Sequence, residues 1–210
     1  MYLGGLCFIT DNKASRLSYE AMVIEALKAG VRWIQYRDKE RSRGEIFRKA
    51  VELRSITRDY DAILIVNDHP DIALAADADG VHLGQDDLPL KEARKILGGN
   101  RLIGISTHKL EHAINANISG ADYIGFGPIF QTATKDAGMP KGISLLRKIK
   151  SEVRLPVVGI GGIKPENARS VFEAGADAVA VASAILSGDI GENAKRFLEI
   201  IRSYEIAHPD

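Results

Sequence analysis

The chain has 210 residues, 45% apolar and 27% charged, and its 28 basic and 28 acidic side chains leave a formal net charge of zero. The length suits one domain with a substantial core, and the composition is that of neither a disordered nor a membrane-embedded chain. Balanced charge argues against a broad nucleic-acid surface, although it leaves room for a local basic pocket.

Met1 to Gly5 lacks the charged and apolar regions of a signal peptide, and no later run reaches transmembrane length. A reducing, cytoplasmic setting is therefore expected. Leu6 to Thr10 reads as a first strand, with the lone Cys7 as a buried thiol that has no partner for an internal disulfide. Ser18 caps a helix to about Gly30, with Ala21, Ile24 and Leu27-Lys28 at helical spacing. Trp33-Ile34 opens a second strand leading into Gln35-Tyr36-Arg37-Asp38-Lys39. A helix from about Arg43 to Tyr60 places Ile46, Phe47, Ala50, Leu53 and Ile56-Thr57 along one stripe. The strand Ile63 to Val66 ends at Asn67-Asp68, and Val81 to Leu83 at Gly84-Gln85-Asp86-Asp87. A helix at Leu90–Leu97, a strand from Leu102 to Ile105 ending at Ser106, and a helix at Lys109–Ser119 follow. The apolar run Tyr123 to Phe130 meets Thr132-Ala133-Thr134-Lys135. Helices at Ser144–Glu152, Pro165–Ala174 and Glu192–Tyr204 enclose the strands Val157 to Ile160, which runs into Gly161-Gly162, and Ala178 to Ala182. Ser183-Ala184-Ile185 could open a short extra helix.

Ala78-Asp79-Gly80-Val81, Ala121-Asp122-Tyr123-Ile124 and Ala176-Asp177-Ala178-Val179 each join a helix end to a new strand, as a reused βα unit would. Eight buried strands with intervening helices predict a single (β/α)8 barrel spanning residues 1–210, with a doubly wound open sheet as the competitor. In such a barrel the strand ends meet at one mouth, so distant polar clusters share one site.

Gln35, Arg37 and Lys39, spaced by two, face one side of an extended segment and can together meet a polyanion; a solvated charged loop is the alternative. Asp68 and Asp87 follow buried strands and together can hold a hard cation such as Mg²⁺, with Asp86 as a competing ligand; for each residue by itself, capping of the next helix is the safer reading. Gly161-Gly162, after the seventh strand, suits a phosphate approached by backbone donors. His108-Lys109-Leu110-Glu111-His112 matches the spelling of a zinc peptidase motif but has no evident third ligand. His82 alternates within a buried strand and reads as a hydrogen-bonded core residue.

Taken in order, these segments resemble the thiamine phosphate synthase family over nearly the whole chain. They are Phe8-Ile9-Thr10-Asp11, Gln35 to Lys39, Val66-Asn67-Asp68, Ala78 to Asp87, Gly104-Ile105-Ser106, Gly127 to Phe130, Thr132 to Lys135, Gly159 to Ile163 and Ala182 to Ile185. The resemblance implies transfer of a hydroxymethylpyrimidine group from its pyrophosphate to a thiazole phosphate, with pyrophosphate leaving before the thiazole nitrogen attacks. It implies that Gln35, Tyr36, Arg37, Asp38, Lys39, Asn67, Ser106 and Lys135 bind the pyrimidine pyrophosphate. Arg37, Lys39 and Lys135 would take the catalytic part, stabilising the departing charge. Asp68 and Asp87 would hold Mg²⁺, and Thr132, Ala133, Thr134, Gly162, Ala182 and Ser183 would bind the thiazole phosphate. Small-molecule substrates, and neither nucleic acid nor membrane, are the expected partners.

Two positions depart from the family pattern: Gln131 where proline is common, and Ala133 where a polar residue is. The segment Asp136 to Gly142 is also unusual. A thiazole tautomerase is the nearest rival, but that family carries a histidine where this chain has Pro128. A non-catalytic sensor of thiamine precursors would have no need of the combined set Arg37, Lys39, Asp68, Asp87 and Lys135.

Overall fold

Runs such as Ile63 to Val66 are apolar at consecutive positions, which suits a strand covered on both faces. In the computed structural model, which describes residues 3–132 and 138–208, eight parallel strands pair in sequence order and the last closes on the first. They are β1 (Gly5–Ile9), β2 (Trp33–Tyr36), β3 (Ile63–Asn67), β4 (Gly80–Leu83), β5 (Leu102–Thr107), β6 (Tyr123–Phe126), β7 (Val157–Ile160) and β8 (Ala178–Val181). Helices α1 (Tyr19–Lys28), α2 (Arg43–Arg58), α3 (Pro70–Ala75), α4 (Leu90–Leu97), α5 (Leu110–Ile118), α6 (Gly142–Glu152) and α7 (Pro165–Glu173) follow the first seven strands, and α8 (Ser183–Leu186) and α9 (Ile190–Ala207) the eighth. This is the expected (β/α)8 barrel, and the β1–β8 pairing rules out the open sheet. No described helix is long and apolar enough to cross a membrane.

Local signals explain most boundaries. Ser18 and Ser42 cap α1 and α2 with their hydroxyls, and Glu45 completes a capping box at α2. The stripe expected on α1 is displaced: Tyr19, Met22, Val23, Ala26 and Leu27 are buried, while Ala21 and Ile24 are only half-buried. Phe47, placed on the buried stripe of α2, is 38% exposed, because Ile46, Ala50, Leu53 and Thr57 already fill that face. Sequence periodicity misses α3, whose six residues are too few to show a repeat, though Pro70 in its first turn was a usable signal. Strand β6 stops at Phe126, four residues before the apolar run ends, where Pro128 lacks the N–H that ladder pairing needs.

The barrel axis is filled by Cys7, Ile9, Trp33, Ile65, Tyr123 and Val158. Gly104 makes room for this packing, since a Cβ there would lie 2.1 Å from the Tyr123 ring. Cys7 is 1% exposed, and burial pushes its thiol well above the ordinary range.

The recurrent Ala-Asp segments acquire a physical meaning at the opposite end of the barrel. Asp79, at the foot of β4, accepts the Leu64 N–H of β3 at 2.7 Å and both Arg54 terminal nitrogens of α2 at 2.8 and 3.1 Å. Asp122 repeats this at the foot of β6, with the Ile103 N–H at 2.7 Å and Arg94 of α4 at 2.6 Å. Asp177 does so at β8, with the Val157 N–H at 2.7 Å and Lys150 of α6 at 2.6 Å. Each carboxylate ties together two strands and the helix before them. At the corresponding place on β2 stands Arg32, which donates instead to the Leu27 and Val31 carbonyls at 3.0 and 2.8 Å.

The Asp79–Arg54 pair is the most enclosed, at 15% and 16% side-chain exposure. Asp79→Ala, which leaves Arg54 and the Leu64 N–H without their acceptor, is expected to cost about 2–3 kcal/mol, read from the urea unfolding midpoint. Asp177→Ala, where Lys150 and Asp177 are 30% and 35% exposed, should cost about 1 kcal/mol in the same measurement.

Candidate active site

The carboxyl ends of the strands open on one mouth, and its first wall comes from β2, β3 and β4. The chain leaves β3 at Asn67 and turns through the left-handed region at Asp68, with φ 67°. The turn is held by the Asp68 N–H, which donates to the His82 carbonyl at 2.8 Å. This conformation costs an L residue about 1 kcal/mol or more and persists where its surroundings over-determine it. Here it sets the carboxylate beside the Asn67 amide, the Lys39 ammonium and Asp87. Burial raises the Asp68 carboxyl above the usual range; Lys39 opposes this and the neighbouring Asp87 adds to it. Asp87 accepts the Gly84 N–H at 2.7 Å and so closes its own turn. Neither aspartate caps a helix: His69 and Pro89 occupy those positions. Asp86 is exposed.

The second group follows the two-residue alternation of β2 beyond its end. Gln35 is buried at 5% within the barrel, Arg37 is half-buried at the mouth, and Lys39 is exposed and paired with Asp68. Tyr36 and Asp38 take the other side. Tyr36 packs edge-on against Tyr19 at 5.0 Å. The Asp38 carboxylate accepts the Glu40 and Arg41 N–H groups at 2.9 and 3.1 Å and the Arg41 guanidinium at 2.7 Å. Burial alone would raise its pKa, but these donors hold it at about 2. Tyr36 and Asp38 are thus enclosed by the loop that presents Arg37 and Lys39.

The opposite wall comes from β7 and β8. A cavity of about 150 Å³ is lined by Arg37, Thr132, Gly161, Gly162, Ala182 and Ser183. Gly162 has φ 64°, and a Cβ there would lie 2.4 Å from the Gln131 carbonyl, so glycine alone fits this bend. Ala182 precedes α8, the short helix anticipated at Ser183. Ala133, Thr134 and Lys135 lie outside the described residues.

Between the walls a polar row descends into the barrel. Ser106 meets His82 Nε2 at 2.9 Å, His82 Nδ1 meets the Tyr123 hydroxyl at 3.1 Å, and Gln35 also contacts that phenol. His82 is the hydrogen-bonded core histidine expected. Tyr123 escapes sequence reading because it lies in an apolar run, and its place opposite Gly104 is set by the register of β5 and β6. His108 and His112 lie 6.3 Å apart between ring centroids, with His108 bonded to the Gly127 carbonyl at 2.8 Å and Glu111 paired with Lys109. A larger cavity of about 730 Å³, lined by Gly5, Trp33, Ile63 and α9, lies at the other end of the barrel and contains none of the predicted site residues.

A two-carboxylate site suits a hard divalent cation. Among the described residues no group of three His, Cys, Asp or Glu side chains forms a metal cage. Asp68 and Asp87 place two oxygen-donor groups beside an open mouth, where a hard divalent cation would take the rest of its ligands from water and a ligand's oxygens.

Comparison with known proteins adds an independent line. The profile of the thiamine monophosphate synthase family matches residues 6–185. A thiamine-phosphate synthase of Methanosarcina mazei is 45% identical over 196 residues, 92% of this chain and 81% of that protein. One of Shouchella clausii is 52% identical over 164 residues, 78% of each. The solved thiamine phosphate pyrophosphorylase of Pyrococcus furiosus superposes with a TM-score of 0.89 at 40% identity, covering 95% of this chain and 96% of that one.

The buried polar row carries a pH signature. Burial lowers the His82 pKa from 6.5 to about 4. Between those values unfolded His82 binds more protons than folded His82, so its contribution to stability is full above pH 6.5 and is lost towards pH 4. His82→Gln should flatten this acid limb by up to roughly 3 kcal/mol in urea denaturation followed from pH 7 to 4.

Proposed function

Because the chain belongs to the thiamine monophosphate synthase family, and is a transferase that joins a hydroxymethylpyrimidine pyrophosphate to a thiazole phosphate with release of pyrophosphate, we propose that the two walls of the mouth divide these substrates. The observation that carries this reading is the meeting of Lys39, Asp68 and Asp87 on one side of Arg37 with the Gly162–Ser183 cavity on the other.

On the first wall, Arg37, Lys39 and Asn67 receive the pyrophosphate, and Asp68 and Asp87 hold Mg²⁺. Bound there, Mg²⁺ neutralises charge on the phosphate oxygens. Gln35 and Ser106, fixed by the row that includes Tyr123 and His82, offer an amide and a hydroxyl to the pyrimidine. On the second wall, Thr132, Ala133, Thr134, Gly162, Ala182 and Ser183 hold the thiazole phosphate, partly through backbone donors, so Ala133 need not supply a side-chain contact. Tyr36 and Asp38 serve the first substrate through the loop they brace.

The chemistry needs no protein nucleophile. The carbon–oxygen bond to the pyrophosphate breaks, the leaving group takes the electron pair, and a cation remains on the methylene carbon, stabilised by the pyrimidine. The thiazole nitrogen then supplies the lone pair for the new carbon–nitrogen bond. Arg37, Lys39 and Lys135 stabilise the charge gathering on the pyrophosphate, and the walls hold both reactants at reacting distance. We take residues 1–210 as one catalytic domain that works in the cytoplasm on small molecules.

The deciding experiment measures pyrophosphate release from the pyrimidine pyrophosphate, with and without thiazole phosphate and Mg²⁺. Release that needs all three, matched by thiamine phosphate, is expected. Saturable binding without release would instead indicate a sensor of these compounds.

Asp68 offers a sharper test, because its backbone and its charge both work against stability. Asp68→Gly should lose Mg²⁺-dependent turnover while unfolding at equal or higher denaturant, by up to about 1 kcal/mol. An unchanged metal titration would remove Asp68 from the ligand set. Lys135→Ala is expected to slow turnover more than it weakens thiazole phosphate binding, as comparison of kcat with that substrate's KM would show.

A further inference from the structure

Residues 37–39 lie beyond the end of β2, yet their backbone is held from two sides. Thr10, just past β1 and 0% exposed, accepts the Arg37 N–H on its hydroxyl at 3.0 Å. The same hydroxyl donates towards the Arg37 carbonyl at 3.4 Å. The Thr10 N–H itself donates to the Gln35 carbonyl at 3.0 Å, so Thr10 is registered on the end of β2. Tyr19, at the start of α1 and 2% exposed, directs its phenol at the same Arg37 carbonyl, also at 3.4 Å, and at the Asp38 carboxylate. Arg41, held by Asp38, lies over the Tyr19 ring at 5.0 Å and closes the bracket.

Without such support, an arginine one residue past a strand would share the freedom of its loop. A stabilising charge contributes most when it is already in place, since reorganisation during the reaction consumes the gain. We infer that Thr10 is a positioning residue for the reaction: its hydroxyl fixes both polar groups of the Arg37 backbone and so sets the guanidinium where the departing pyrophosphate forms. The role rests on the reading of Arg37 proposed above. Tyr19 assists it from the carbonyl side; Thr10 lies behind the wall of the cavity formed with Gly162 and Ser183, and at 0% exposure it acts through Arg37 rather than by touching a substrate.

The test uses Thr10→Val, which keeps the shape and removes both hydroxyl bonds. With Mg²⁺ present, affinity for inorganic pyrophosphate, measured by titration calorimetry, and kcat are each expected to fall about tenfold. Thr10→Ser, which restores the hydroxyl, should recover both to within about twofold. Tyr19→Phe should shift the same quantities by about threefold, and it decides the question should Thr10→Val not fold. A Thr10→Val enzyme that loses Tm but keeps its pyrophosphate affinity and kcat overturns the inference and leaves the hydroxyl a structural part. Arg37→Ala separates the two levels. If it weakens pyrophosphate binding and Thr10→Val does not, the positioning role alone falls. If Arg37→Ala has no effect, the reading of Arg37 fails and the inference falls with it.

Discussion

A parallel barrel stands or falls on the register between its strands, and here that register is secured by carboxylates at the foot of the barrel. Asp79, Asp122 and Asp177 each accept an N–H from the neighbouring strand and a cation from the helix that precedes that strand. The arrangement uses a group that is hard to satisfy, a part-buried carboxylate, and satisfies it with one donor from each element to be aligned. Misalignment by one residue would strand both donors. The feet of the strands are therefore specified, and their opposite ends are free to carry polar side chains chosen for another purpose.

Those opposite ends are less comfortable. Asp68 sits in the left-handed region with its charge partly desolvated beside Asp87. Arg37 and Lys39 extend from a loop that has left the sheet. Features of this kind cost stability locally and survive when the rest of the fold is secure. The barrel thus separates its two tasks along one axis, with rigidity at one end and reactivity at the other.

The same division explains what could be read from the sequence. The strand ends were legible because apolar runs stopping at Asn67-Asp68, Gly84 to Asp87 or Gly161-Gly162 announce both a strand and its exit. The repeat around Asp79, Asp122 and Asp177 was visible, but its purpose was not, since Arg54, Arg94 and Lys150 lie some two dozen residues or more away in sequence. Tyr36 and Asp38 stood in a matching segment, and only the fold shows them enclosed against Tyr19 and Arg41. Thr10 stands in a matching segment with no role legible from it, because a hydroxyl that serves another residue's backbone leaves no pattern of its own. The error on α1 is of a different kind: with apolar residues at Met22, Val23, Ile24, Ala26 and Leu27, several stripes are possible, and packing chooses among them.

Each carboxylate tie also spans a connection. Arg54 and Leu64 flank the loop between α2 and β3, Arg94 and Ile103 the loop between α4 and β5, and Lys150 and Val157 the loop between α6 and β7. In all three the chain on either side of the loop is gripped by a third element, so covalent continuity there is partly redundant. A protease nick or a relocated chain terminus at these loops would leave the two ends still gripped. Seen this way the barrel is a ring of interlocked modules, more tolerant of being cut and rejoined than a single thread of βα units would be.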